Sequence, residues 1–169
     1  MPWHPMVVHF PLALVIVAAL LFVAARLLRS DGAAATLAIV ATWNLVLGAI
    51  AAVLALATGL AAVLDLDVGA AVHQAIGLHM KWAMFTTLAL VLLAVWRGAG
   101  TAQSSRPSWL FLIVLLAAAA TLTFTGYRGG KNVYEYGVGV KKIAARTIEA
   151  PRGDRNKLEG PYCAGISPV

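Results

Sequence analysis

Three long stretches of this chain carry no ionisable carboxylate, ammonium or guanidinium: residues 1–25, 32–64 and 107–127 contain no Asp, Glu, Lys or Arg. About 20 residues of helix, at about 1.5 Å each, cross a hydrocarbon layer of about 30 Å, so uncharged runs of this length predict membrane-spanning helices. The composition agrees. Of 169 residues, 61% are hydrophobic and 12% charged, and mean hydropathy is +0.84. A soluble domain carries about a quarter charged residues. A soluble globular enzyme, a nucleic-acid-binding domain and a disulfide-stapled secreted module are thereby excluded. The lone Cys163 forms no intrachain disulfide and belongs to no metal-type cysteine spacing.

The expected fold is an all-α, integral membrane four-helix up-down-up-down bundle with an extended C-terminal extramembrane tail. The spans are expected at about 5–28, 34–64, 72–96 and 107–127, with the tail over 128–169. Arg26 and Arg29 close the first span, and Ser30-Asp31-Gly32 is turn chemistry. The first span lacks a basic leading region and has too long an apolar stretch for a cleaved signal peptide, so it is expected to be retained. Asp65, Asp67 and Gly69 close the second span, which is longer than a bilayer needs and must tilt or protrude. Arg97 and Gly98 close the third. Pro107 suits the first turn of the fourth, and Gly126-Tyr127 its end.

Charge sets the expected orientation. The turns after spans one and three carry Arg26, Arg29, Arg97 and Arg106, while the N-terminal segment and the turn after span two carry no Lys or Arg. The chain therefore reads as a multi-pass protein of a bacterial inner membrane with both termini extracytoplasmic. Arg128, Lys131, Lys141 and Lys142 oppose that orientation, but early spans and short loops weigh most. The tail holds eight Lys/Arg against four Asp/Glu, a balance suited to anionic lipid or a partner subunit. No basic patch with interleaved aromatics points to nucleic acid.

The chemistry of the chain rests on four histidines: His4, His9, His73 and His79. Spans one and three run parallel, and His9 and His79 each fall roughly 6–10 Å inside their span by rise per residue. Two imidazoles at matched depth on parallel helices suit one axial ligand each to a flat haem. Ionisable groups inside a membrane are costly and most often functional. The alternative is that histidine bonds across helices and glues the bundle. His4 and His73 sit at the mouths of their spans, as an interfacial pair and a lesser choice of iron ligands. His4 and His9 lie about 140° apart around a helix, and His73 and His79 about 240°, which disfavours a mononuclear metal held by three or four histidines.

Other features frame that site. Pro11 is expected to kink the first helix beside His9. Gly48, Ala52, Ala55 and Gly59 form a stripe of small residues on span two, which serves close packing or leaves room for a cofactor. Thr121, Thr123 and Thr125 on span four satisfy local carbonyls. Lys81, Arg128, Lys131 and Tyr127 are candidates to meet haem carboxylates, with snorkelling to headgroups as the alternative for the long cations. Trp3, Trp43, Trp82, Trp96 and Trp109 read as interfacial anchors.

The opening His4-Pro5-Met6-Val7-Val8-His9-Phe10-Pro11-Leu12-Ala13-Leu14 resembles the signature of a bacterial family of small four-span membrane proteins catalogued as a domain of unknown function. The resemblance continues through Thr58-Gly59-Leu60, His79, Thr125-Gly126 and Tyr134 to Val140, over roughly residues 4–140. That family resembles the four-helix b-type membrane cytochromes, which implies haem b and electron transfer, with His9 and His79 as ligands.

The expected function is therefore a non-catalytic b-type carrier. One bis-histidine haem near the outer leaflet would pass electrons between an extracytoplasmic donor and quinone or a larger respiratory complex. The alternative is a cofactor-free accessory subunit of a larger membrane complex, in which the histidines are dispensable. A permease is disfavoured by a single internal cation, no intramembrane acid and no pair of broken helices.

Overall fold

In the computed structural model, which describes residues 4–64, 69–99 and 106–138, all regular structure among the described residues is helical. The elements are α1 (His4–Val7), α2 (His9–Leu27), α3 (Asp31–Leu64), α4 (Ala70–Ala99) and α5 (Trp109–Tyr136). Helices α1 and α2 together make the first span, His4–Leu27, and among the described residues four helices are long and apolar enough to cross a membrane. The irregularity between α1 and α2 falls at Val8, which keeps helical dihedrals. Pro11 has no N–H to give the carbonyl four residues back, so the disturbance lies just N-terminal to it, as the chemistry of proline requires. The first compact unit is Met1–Gly139, and the second, Val140–Val169, lies outside the described residues. So do Trp3, Asp65, Asp67, Lys141, Lys142, Cys163 and the polar segment 100–105.

The helix ends follow local chemistry. Ser30 caps α3, its Oγ accepting from the Ala33 N–H at 3.4 Å, and Asp31 adds a negative charge to the first turn, where the helix dipole favours it. The turn joining α2 to α3 is thus tighter than expected, with Asp31 and Gly32 already helical. Ser108 caps α5 by accepting from Phe111 N–H at 3.2 Å. Pro107 therefore precedes the cap rather than opening the first turn, and it is buried.

At its other end α5 runs on to Tyr136, nine residues beyond the expected stop. Gly137, at φ 64°, then reverses the chain, a conformation that favours glycine. Its N–H returns to the Val133 carbonyl at 3.0 Å. Gly129 and Gly130 do not break the helix. Buried Asn132 anchors the extension, and Lys131 pairs with Glu135 at 3.4 Å one turn on.

The four spans pack as a ring in which each touches its two neighbours, including the last against the first. The first and third spans consequently lie on one diagonal, and the second and fourth on the other. Lipid offers no hydrophobic drive between helices, so approach depends on small side chains. Ala18, Ala25, Ala38 and Ala41 are fully buried along the α2–α3 seam, beside Leu45 and Phe22. A Cβ on Gly48 would stand 2.9 Å from Val15 Cγ2, so that crossing needs glycine. Phe22 meets Phe111 edge-on at 5.1 Å between centroids, and Trp96 meets the same ring at 5.7 Å. Large apolar side chains such as Leu20, Leu54, Leu92 and Ile113 face outward, as they do in a chain solvated by lipid.

Both arginine-bearing turns fall at one end. Arg106 donates to Asp31 at 2.8 Å and to the Arg29 carbonyl at 3.0 Å, tying the turn after α2 to the start of α5. Asp31 is 95% exposed, so this pair orders the ends more than it stabilises them. At that end Arg26 lies over the Trp109 ring at 4.9 Å and Arg97 over Phe22 at 5.4 Å.

The crossing at Gly48 supplies a test. Gly48→Leu forces spans one and two apart and is expected to destabilise by about 1–3 kcal/mol. Gly32→Ala, where a Cβ meets nothing within 4 Å, is expected to gain a few tenths of a kcal/mol or more from helix propensity. Thermal unfolding of both variants in detergent checks the pair. Equal melting temperatures would contradict the packing described.

Candidate functional site

The end of the bundle opposite the arginines collects the start of spans one and three and the finish of spans two and four. His4 opens the first helix there. Its ring lies against α3 at Gly59, where a Cβ would come within 2.9 Å of its Cε1. Its Nδ1 is 3.2 Å from Thr58 Oγ1. The Thr58 hydroxyl donates its one proton to the Ala55 carbonyl at 3.0 Å, so toward His4 it accepts. His4 therefore carries its proton on Nδ1, with the Ala55 backbone carbonyl also bonded to the ring, and its Nε2 is left as the acceptor nitrogen. A hydrogen bond that sets the tautomer in this way is how proteins orient an imidazole ligand.

His79 stands on the diagonally opposite helix. Its ring packs against α5 at Gly129, with Cε1 3.1 Å from the Cβ position. Neither glycine accommodates a larger residue without moving an imidazole. The Thr125 backbone carbonyl accepts a hydrogen bond from the His79 ring, and the buried Nδ1 has no further partner. His4 and Arg128 both lie within electrostatic reach of His79. Arg128 itself sits over the Phe124 ring at 5.8 Å.

Beneath the histidines the bundle closes. Trp82 meets Phe124 edge-on at 5.2 Å. Buried Thr86 and Thr125 bond at 3.3 Å, and Thr125 donates to the Thr121 carbonyl at 2.7 Å, so the proton between the two threonines comes from Thr86. These hydroxyls join α4 to α5 below the site.

The remaining expected site residues lie elsewhere. His9 is exposed, its Nδ1–H bonded to the Pro5 carbonyl at 2.7 Å. It follows His4 by five residues, about 140° around the helix, and faces away from His79. His73 and Lys81 are exposed on α4. Lys81, two residues past His79, points about 160° away from it. Tyr127 is exposed as well. The structure thus brings His4, rather than His9, toward His79.

The physical reason is the unequal height of the helices. Depth counted from each span's own start pairs His9 with His79, but α4 begins at Ala70, nine residues before His79, and extends beyond the end of span one. Level with His79 is the first turn of span one. Thr58 and Gly129 acquire their roles only through that register. Their one sequence signal is a glycine on the inner face of each helix that flanks the diagonal. Among the described residues, no group of three or more His, Cys, Asp or Glu gathers as for a protein-only metal centre.

The chain belongs to the DUF2231 family, described as a predicted membrane protein; the family profile matches residues 1–142. No curated protein and no solved structure matches the chain.

The tautomer at His4 is directly measurable. In ¹⁵N spectra of histidine-labelled protein, His4 is expected as the Nδ1–H form, and Thr58→Val is expected to return it to a mixed population while weakening stability by about 1 kcal/mol. A His4 spectrum indifferent to Thr58→Val would contradict the assignment.

Proposed function

We propose that this member of the DUF2231 family is a b-type cytochrome-like electron carrier, with His4 and His79 as the axial ligands of one haem. The observation that carries the reading is the pair of imidazoles on diagonal helices within electrostatic reach of each other, each seated on a glycine of an intervening helix. Two features of the residues fit the group. His4 is bonded through Nδ1 to Thr58, which leaves its Nε2 for a ligand, and the His79 ring is held by the Thr125 backbone within electrostatic reach of His4. Glycines at 59 and 129 permit helix backbones to lie close to a flat ligand.

When bound, haem b supplies a one-electron iron couple, and two histidine ligands leave no coordination position for substrate, which suits carriage of electrons rather than catalysis. The chain's own part is to hold and tune. Thr58 orients His4. Arg128 places positive charge within reach of His79 and is the best-placed cation to meet a haem carboxylate. The aromatic contact between Trp82 and Phe124 excludes water from below. His4 lies 23 residues from Leu27 at the other end of its span, about 35 Å along the axis, so the site sits at one membrane face. An electron donor outside the membrane and a quinone or respiratory complex within reach of that face are the partners this position suits. With the arginine turns cytoplasmic, in a bacterial inner membrane, the face is the outer one.

A reduced-minus-oxidised absorption spectrum of the detergent-purified protein tests the reading. The wild type, His9→Ala and His73→Ala are expected to show a sharp α-band, and His4→Ala and His79→Ala to lose it. Thr58→Val is expected to weaken haem affinity about 10–100-fold. A flat spectrum from folded protein expressed with haem supplied would overturn the cytochrome reading and leave the accessory subunit, with His4 and Thr58 as helix glue.

A further inference from the structure

We propose that the arginine end carries a binding groove for one anionic phospholipid, between the first and last spans. This seam, α2 against α5, is the most sparsely packed of the four around the ring. It leaves an apolar cavity of about 200 Å³ lined by Val23, Leu112, Leu116, Trp109 and the stem of Arg26. From Trp109 to Leu116 the groove follows two turns of α5, about 10 Å by rise per residue. That is the depth of the upper part of an acyl chain and too short for a partner helix to cross the membrane in.

Arg26 supplies the headgroup chemistry. The Arg26 guanidinium is held over the Trp109 ring at 4.9 Å. An oriented guanidinium suits a phosphate oxygen. The surrounding charge agrees, because the described residues at this end carry Arg26, Arg29, Arg97 and Arg106 against Asp31 alone. Asp31 is already taken by Arg106 at 2.8 Å, so among the described residues at this end no carboxylate is left for Arg26. An apolar slot that opens to lipid and ends at a cation matches an acyl chain and its phosphodiester together. The site is independent of the histidine end.

Trp109 is its own reporter. The full chain, with Trp3, Trp43, Trp82 and Trp96 replaced by Phe, is reconstituted in phosphatidylcholine vesicles containing either brominated phosphatidylglycerol or brominated phosphatidylcholine. The anionic lipid is expected to quench Trp109 with about fivefold higher relative affinity, the figure for one cation near the headgroup layer. Arg26→Gln is expected to abolish the preference and Arg26→Lys to keep most of it. An excess of inorganic phosphate is expected to change nothing, since the chain and headgroup bind as one molecule. Equal quenching by the two lipids, or a preference that survives Arg26→Gln, would overturn the proposal. Trp109 shielded from both lipids would also overturn it and point to a second copy of the chain in the groove. If Arg26→Gln does not fold, the comparison of the two lipids on the wild-type Arg26 background still decides.

Discussion

In hydrocarbon no water is present to bond a free peptide group, so each span must satisfy its own backbone and can do so only as a helix. That constraint leaves few choices: how closely two helices approach, at what relative height, and which polar side chains they enclose. Here small residues decide the first. Alanines line the seam between spans one and two, and Gly48 allows Val15 nearer than any side chain would. The heights then follow, and with them the alignment of the first turn of span one with the third turn of span three.

The two ends of the bundle differ in chemistry because of that alignment. One end gathers arginines that lie over aromatic rings, Arg26 on Trp109 and Arg97 on Phe22. The other gathers imidazoles on glycines, His4 on Gly59 and His79 on Gly129. Between them the interior is mostly apolar, and the hydroxyls of buried Thr42, Thr86 and Thr125 are spent on carbonyls and on one another. A protein built so has its polar functions at its two faces and a dry, packed middle.

Much of the fold was legible in the residues. Uncharged runs locate the spans, and arginines mark the two turns on one side. The stretch after Tyr127 was not legible, since Gly129-Gly130 reads as a break by propensity while tertiary contacts carry the helix on to Tyr136. The four histidines stand out in the residues, but which two of them the fold brings near each other does not. Counting inward from helix starts assumes that the helices begin level, and span one begins lower than its diagonal partner. Thr58 illustrates the same limit. On sequence it is one threonine among several, and only the position of the His4 ring makes it the group that sets a tautomer.

Near-infrared magnetic circular dichroism of the oxidised, haem-loaded protein tests the central claim most directly, because the charge-transfer band reports the pair of axial ligands. The account predicts a bis-imidazole band in the wild type that moves to the histidine–methionine position in His79→Met and in His4→Met, and stays in place in His9→Met. A band that moves with His9→Met, or a folded wild type that shows none, would contradict it.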